Sequence, residues 1–414
     1  MLKRFLSYYK PHRTLFALDM AASFFMSVIG VGYPIITRMM LNDLIPNQKY
    51  ALVVAGGLGL LALYFIRMLL NYFIQYQGHM MGVRMQAQMR RDLFSHIETL
   101  PFSFFDNHET GKIMSRLTSD LTDISELAHH GPETFIITTF TVVASFSYLM
   151  TIHWGLSLIL FACVPILVAI SLLLRRRMRS AFQRSRRSLA TINAAVESSV
   201  SGIRVTKAFN NADKELEKFE VGNAQFKEAS RDAYKAMGIF HSSTTFITDV
   251  FNVVVIIAGG FFLFRGEIEF ADYSAFIVSI NLFLNPINTL IRFMEQFQNG
   301  AAGFERFVEI MDTPSEADAP DARPVDRLSG RIAFENVSYG YNDSRDVLRD
   351  VSFTVGAGQT FALVGPSGGG KTTICHLIPH FYEVERGRIL FDGIPVDRIT
   401  RSSLRRNIGI VQQD

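Results

Sequence analysis

The sequence predicts a mainly α-helical polytopic membrane domain of six long transmembrane helices with cytoplasmic extensions, followed by an incomplete α/β domain. Three observations predict this class. The 414 residues are 49% hydrophobic and only 19% charged, whereas a soluble domain carries about 25% charged residues. The apolar residues are concentrated in six long runs. Residues 331–414 instead contain 19 charged residues, a share typical of a soluble domain, and their apolar positions alternate as in strands.

The six apolar runs are long enough to cross a bilayer, since a core of about 30 Å needs about 20 apolar residues in a helix. They are residues 14–41, 51–74, 134–152, 154–174, 239–264 and 273–291. Three of them contain no charged residue. A buried core helix could explain one such run, but six in one chain indicate membrane spans. The two cysteines, Cys163 and Cys375, exclude a disulfide framework and a cysteine-rich metal site.

The basic residues predict a single orientation, because cytoplasmic segments next to spans carry an excess of Lys and Arg. The N-terminus is basic, and segment 175–187 contains seven Arg. The short turn around His153 carries no Lys or Arg. We therefore expect a multi-pass protein of the cytoplasmic membrane, with the N-terminus and the C-terminal domain in the cytoplasm and no cleaved signal peptide. The Arg residues directly adjoin a span, so we expect lipid contact and no nucleic-acid partner.

Two connections between spans are unusually long and are both predicted to be helical. They join spans two to three and four to five, contain few Gly or Pro, and show helical apolar spacing. If span four continues unbroken over 155–201, the helix reaches about 70 Å. Such extensions would hold another element well away from the membrane.

The spans contain few polar residues, namely Asp19, Arg67, Glu133, His241 and Asp249. Intramembrane charges are often functional, although such groups can also lie near an interface or pair with each other. Asp249 is a candidate to line a substrate path. Asn285-Pro286 lies within the sixth span and predicts a kink or a ligand site.

After residue 305 the composition changes to that of a linker and then of a small α/β domain. Residues 306–330 form the predicted linker, because segment 312–324 contains three Pro, several acids and no periodic pattern. We therefore expect a membrane domain over 1–305 and the N-terminal part of an α/β domain over 331–414. Residues 331–338, 351–355 and 360–364 are predicted strands.

A phosphate-binding loop follows the last of these strands, in the pattern G-x-x-x-x-G-K-[ST]. Glycines let successive backbone N–H groups grip phosphate oxygens, and the helix that follows adds its positive end. Lys371 would reach the β- and γ-phosphates, and the Thr372 hydroxyl would bind Mg²⁺. The loop and its helix start contain Gly365, Pro366, Ser367, Gly368, Gly369, Gly370, Lys371, Thr372 and Thr373. The C-terminal part is thus predicted to be an incomplete α/β P-loop NTPase domain that binds ATP and Mg²⁺.

With this motif, the chain resembles an ABC exporter half-transporter of the multidrug and lipid type. Residues 331–414 look like the start of its nucleotide-binding domain. The resemblance implies that Tyr341 stacks on adenine, with Tyr339 as the less favoured choice. It also implies that Gln413, in the Q-loop-like ending Gly409-Ile410-Val411-Gln412-Gln413-Asp414, contacts Mg²⁺ and the attacking water.

The membrane part resembles the family more loosely, in its two intracellular loops. Phe104-Phe105 with Gly111 resembles the first loop, and segment 201–209 resembles the second. The resemblance implies short coupling helices near 105–111 and 210–217 that press on nucleotide-binding domains. It also implies a dimer, formed with a second half-transporter.

The 414 residues contain no Leu-Ser-Gly-Gly-Gln signature, Walker B Asp-Glu or switch histidine. We therefore expect a chain truncated after the Q-loop, with no catalytic residue and no ATP hydrolysis of its own. In the complete family, closure on ATP drives export of a drug, lipid or peptide. The alternative is an inactive or regulatory truncated membrane subunit, which a stop codon after Asp414 would support. An ion channel with a nucleotide sensor would also fit six spans, but gives no reason for such long helices.

Overall fold

The computed structural model describes residues 1–341 and 346–411, except for the side chains of residues 281, 283, 287, 288, 291, 292 and 295. The chain divides into two compact units. The helical unit contains Leu2–Met85 and Asp123–Ala301. The sheet unit contains Met1, Gln86–Thr122 and Ala302–Asp414.

Eleven helices precede the first strand in the part of the chain that the structure describes. They are α1 Leu2–Ser7, α2 Arg13–Met39, α3 Tyr50–Phe73, α4 His79–Ile97, α5 Phe102–Asp106, α6 Thr110–Ser115, α7 Leu121–Ile152, α8 Trp154–Ser201, α9 Ile203–Ala208, α10 Ala212–Phe264 and α11 Phe270–Met311. Three π-helical turns adjoin them: Met40–Leu44 extends α2, Ile74–Gly78 joins α3 to α4, and Arg116–Asp120 joins α6 to α7 without a break.

Five continuous helical stretches are long and apolar enough to cross a membrane, among the described residues that could be searched. They are Leu2–Leu44, Tyr50–Ile97, Thr110–Ile152, Trp154–Ser201 and Ala212–Phe264. These confirm the first five predicted spans, and the sixth lies inside α11, which is not fully described. The predicted unbroken helix is also confirmed, because the 48 residues of α8 extend about 72 Å.

Apolar packing stabilises the helical unit where its helices meet, whereas elsewhere its apolar side chains are exposed. One core cluster contains Leu149, Leu156, Leu160, Leu167, Phe251, Val255, Ile268, Phe276, Ile280 and Leu284. Arg38 on α2 pairs with Asp272 on α11 at 2.6 Å. By contrast, α3 buries none of its residues. A helix that is apolar all round and unburied by protein is stable only if lipid covers it.

The sheet unit contains a four-stranded antiparallel sheet in the order β2-β1-β3-β4. The strands are β1 Ile332–Tyr339, β2 Leu348–Val355, β3 Arg386–Phe391 and β4 Ile394–Pro395, and the helices α12 Lys371–Leu377 and α13 Arg401–Arg406 accompany them. Its core contains Phe334, Val337, Tyr339, Leu348, Ile374, Leu377, Ile389, Phe391, Val396, Ile399 and Leu404.

The segment 312–331 contains no helix or strand and is bound along the sheet unit. Arg405 on α13 donates two hydrogen bonds to the Glu316 carboxylate, at 2.8 and 3.1 Å. Arg323 forms an isolated parallel bridge with Ile399. These contacts fix the path of an otherwise irregular segment against the sheet.

Two expectations about local structure are wrong. Residues 360–364 form no strand, and Phe361 and Val364 are 47% and 89% exposed. An extended segment becomes a strand only beside a hydrogen-bonding neighbour, and no described strand pairs with this one. Segment 201–209, which resembles the second intracellular loop, forms a short helix at α9, Ile203–Ala208. The predicted 210–217 is not a separate helix, since α10 already begins at Ala212.

Candidate functional site

The predicted phosphate-binding loop lies directly before α12. Its glycines Gly365, Gly368 and Gly370 have positive φ angles of 154°, 80° and 81°. A Cβ at Gly370 would lie 2.6 Å from the Leu348 side chain. The loop therefore requires glycine at this position, both for its backbone conformation and for its close approach to β2.

The Lys371 ammonium lies over this loop. Its Nζ donates hydrogen bonds to the carbonyl oxygens of Gly365, at 2.9 Å, and Pro366, at 2.7 Å. A phosphate that entered the loop would therefore meet a positive charge already in place. Of the other predicted binding residues, Ser367, Gly368, Gly369 and Thr372 are exposed, and Thr373 is buried.

Tyr341, the predicted adenine-stacking residue, lies beside the start of α12. Its hydroxyl donates to Thr373 Oγ1 at 3.3 Å. Its ring packs edge-on against Tyr339 and Tyr382, with centroids 5.0 and 5.3 Å away. Burial raises the pKa of the Tyr339 and Tyr382 phenols above the usual range, so both stay neutral at physiological pH. The structure thus brings the predicted aromatic and the loop together, while Gln413 lies outside the described residues.

A separate cavity of about 230 Å³ lies within the helical unit. Its lining mixes small, apolar and polar side chains with two charged ones, Arg67 and Glu133. The lining residues are Met26, Ser27, Gly30, Arg67, Glu133, Thr134, Ile137, Thr138, Thr141, Leu282, Asn285, Pro286 and Thr289. Arg67, Glu133 and Asn285-Pro286, which the sequence analysis named within the spans, thus line the same cavity. Asp249 does not line this cavity, and its side chain is exposed on α10.

Comparison with protein families matches both parts of the chain. A family model described as the ABC transporter transmembrane region matches residues 16–287. A second model, described as ABC transporter, matches residues 348–414. The chain belongs to the ABC transporter family. It therefore combines a multi-pass membrane domain with an ATP-binding domain, as in the exporter half-transporters that it resembles.

Curated relatives agree with this assignment over most or all of the chain. The uncharacterized ABC transporter ATP-binding protein YwjA of Bacillus subtilis is 38% identical over 415 residues, which cover 100% of this chain and 72% of the relative. The ATP-dependent lipid A-core flippase of Albidiferax ferrireducens is 32% identical, over 99% of this chain and 71% of the flippase. The fatty acid ABC transporter ATP-binding/permease protein of Mycobacterium tuberculosis is 32% identical, over 82% of this chain and 54% of the relative.

In this ABC transporter chain, α5 from the first intracellular loop belongs to the same compact unit as the phosphate-binding loop. The Phe102 ring stacks on the Phe381 ring, with centroids 3.9 Å apart. The Tyr382 hydroxyl donates to Asp106 Oδ2 at 2.7 Å. This loop does contain a short helix that packs on the sheet unit, but the helix runs over Phe102–Asp106, earlier than the expected 105–111.

Sequence reasoning missed Phe381 and Tyr382, the partners of α5. They follow α12 by a few residues, and Tyr382 also contacts Tyr341. One pair of residues therefore connects the nucleotide side of the sheet unit to the intracellular loop. Adjacent aromatic residues after a phosphate-binding helix were the available signal, but they are equally typical of a buried core.

Proposed function

We propose that the chain is one subunit of a dimeric, ATP-driven exporter that moves an amphipathic or lipid-like substrate across the cytoplasmic membrane. The packing of α5 on Phe381 and Tyr382 carries this proposal. It gives a change at the ATP site a direct route, through two packed side chains, to α5. The basic cytoplasmic flanks support an orientation with the N-terminus and the sheet unit in the cytoplasm.

The residues of the loop fit a nucleoside triphosphate. Lys371 and the loop backbone would bind the β- and γ-phosphates, and Tyr341 would stack on the adenine ring. The Thr372 hydroxyl, together with Gln413, would hold Mg²⁺, which neutralises phosphate charge. ATP binding would shift the exporter between two states, provided that it contacts both subunits in only one of them.

A second half-transporter is proposed as the partner, and this chain exposes apolar side chains that it could bind. In the second intracellular loop, Phe209 is 79% exposed and Val205 is 62% exposed. These two exposed apolar side chains, four residues apart, would suit a contact with a partner subunit. ATP-dependent uptake into inside-out vesicles would test the export function on a dimer whose two chains both carry a signature and a Walker B motif, and absence of ATP-dependent uptake of any lipid, drug or peptide would count against it.

The 414-residue chain alone is expected to bind MgATP without hydrolysing it. The sequence contains no Walker B Asp-Glu to polarise the attacking water and no signature to complete a γ-phosphate site in trans. Phosphate release from purified 1–414 in nanodiscs should therefore stay at the buffer rate. Release that exceeds this rate and disappears in Lys371→Ala would contradict the proposal, because it would place a catalytic base within these residues.

The cavity with Arg67 and Glu133 is proposed as part of the substrate path. Two relatives are named for lipid A-core and for fatty acid. A fatty acid combines an acyl chain with a carboxylate, and Arg67 could pair with such a group while the apolar lining accepts the chain. Arg67→Ala should weaken binding of a fluorescent fatty acid about tenfold or more, as expected for a lost hydrogen bond to a charged group. Arg265→Ala, at a turn outside the cavity, is the matched control.

Equal losses in both variants would show that general surface charge attracts the ligand, and an unchanged affinity in Arg67→Ala would remove the cavity from the proposed path. Arg67→Lys distinguishes charge from geometry, since lysine keeps the charge but loses the planar fork.

A further inference from the structure

Three histidines from two helices lie together within the helical unit. His79 is the first residue of α4, and His129 and His130 are adjacent on α7. The ring centroids are 4.6 Å apart for His79 and His129, 5.0 Å for His79 and His130, and 4.6 Å for His129 and His130. One ligand atom of each residue lies within 4.8 Å of the others. We call these three residues the histidine cluster.

The groups at the centre of this region are buried and lack hydrogen-bond partners. Asp19 on α2 is 0% exposed, and both of its carboxylate oxygens are unpartnered. His129 is 2% exposed, and both of its ring nitrogens are unpartnered, as is Nδ1 of His79. The nearby carboxylates lie 3.6 Å away, Asp19 from Nδ1 and Glu133 from Nε2, and these distances are too long for hydrogen bonds. Buried polar atoms without partners are costly, so this region has unused binding capacity.

The backbone is shaped to admit the His129 ring. A Cβ at Gly78 would lie 2.0 Å from His129 Cε1 and 2.5 Å from Nδ1. Gly78 ends the π-helical turn Ile74–Gly78, directly before His79. Such π-helical turns are frequent at functional sites because they re-aim side chains within a helix. Here the turn and its glycine together place His79 and His129 in contact.

The carboxylates around the cluster complete a metal-binding pattern. Glu133 Oε2 accepts from His130 Nδ1 at 3.1 Å, which leaves Nε2 of His130 as the nitrogen that could bind an ion, and Glu126 lies 3.5 Å from this Nε2. Metal-binding imidazoles are commonly oriented by such carboxylates. Asp19, with both oxygens unpartnered, supplies the remaining candidate ligand.

We propose that the histidine cluster and Asp19 bind a divalent transition metal ion such as Zn²⁺, Ni²⁺ or Co²⁺. Three imidazoles and a carboxylate suit these ions, whereas Mg²⁺ and Ca²⁺ prefer oxygen ligands. Zn–N bonds of about 2.0–2.1 Å in a tetrahedron place ligand atoms about 3.4 Å apart. Side-chain movements of about an ångström would therefore close the present spacing of up to 4.8 Å among the three histidine ligand atoms to that of a bound ion. Asp19 would approach from the Nδ1 side of His129, where its Oδ2 lies 3.6 Å away. The ion would crosslink α2, α4 and α7, which carry its ligands.

The test uses the purified full chain, stripped of metal, without a histidine tag and without nucleotide. Titration with Co²⁺ should give one equivalent per chain, with the visible absorption of a four-coordinate site, and Zn²⁺ should displace it. Thermal unfolding should shift upward as Zn²⁺ is raised, because an ion that binds only the folded chain stabilises it. His129→Ala should abolish the Co²⁺ absorption and the thermal shift.

Two further variants keep the test decisive if His129→Ala fails to fold. His79→Gln, at a half-buried position, should weaken Co²⁺ binding more than tenfold. Glu133→Gln keeps all four ligands and should weaken binding about 10- to 100-fold, as loss of an orienting carboxylate does. His241→Gln, at an exposed histidine on α10, is the matched control and should bind as the original chain does.

Absence of a stoichiometric Co²⁺ signal in the original chain would overturn the proposal and leave an ionic histidine and carboxylate cluster. Equal binding by the original chain and by His79→Gln would also overturn it, because the metal would then bind elsewhere. A loss in His241→Gln equal to that in His79→Gln would identify adventitious surface binding and would likewise contradict the assignment.

Discussion

Lys371→Ala is expected to weaken MgATP binding to the 414-residue chain between about tenfold and a hundredfold. This range corresponds to the 1.5–3 kcal/mol that a hydrogen bond to a charged group contributes. The ammonium already lies over the loop through its bonds to the carbonyls of Gly365 and Pro366, so little reorganisation offsets its attraction for phosphate. Equilibrium binding of a fluorescent ATP analogue, competed with MgATP, measures the effect.

Two variants make this result specific. Lys371→Arg keeps the positive charge but is bulkier, so it should recover only part of the affinity. Arg388→Ala removes a charge from the same unit, where Arg388 pairs with Glu335 at the surface, and should bind MgATP as the original chain does. Unchanged affinity in Lys371→Ala would mean that the loop does not hold the triphosphate.

The sequence could predict the structural elements that depend on local sequence patterns. Span positions follow from long apolar runs, which must be helical in lipid because no water satisfies their backbone groups. The phosphate-binding loop follows from a contiguous motif in which glycine is needed for the backbone conformation of the loop. The positive φ of Gly370 agrees with this requirement. The first coupling helix was expected within a few residues of its position at Phe102–Asp106.

The parts that the sequence could not predict depend on residues that are distant along the chain. Residues 360–364 have a strand pattern, but a strand needs a neighbour, and periodicity does not show whether one is present. The contact of Phe102 with Phe381 joins residues far apart in sequence. The same is true of His79 and His129, which approach because a π-helical turn and Gly78 allow it.

Gly387→Ala is expected to destabilise the sheet unit by about 3–5 kcal/mol, from positive-φ strain and overpacking together. Gly387 has a φ of 81° and lies in β3 opposite an irregularity of β1, where the register shifts between Glu335 and Ser338. A Cβ there would lie 2.3 Å from the Asn336 carbonyl oxygen and 2.4 Å from that of Glu335. Both atoms belong to the backbone of the central strand pair, so no side-chain rotation can relieve the clash.

Gly393→Ala separates the two causes, because Gly393 has a φ of 84° but no atom lies within 4 Å of its added Cβ. It carries the conformational strain alone and should cost about 1–2 kcal/mol. Native-state proteolysis of the full chain measures the opening free energy of the sheet unit when reclosing is fast relative to cleavage. If the two variants were cleaved at the same rate, the close packing of β1 on β3 at Gly387 would not limit the stability of this sheet, and the strained glycine backbone alone would account for both losses.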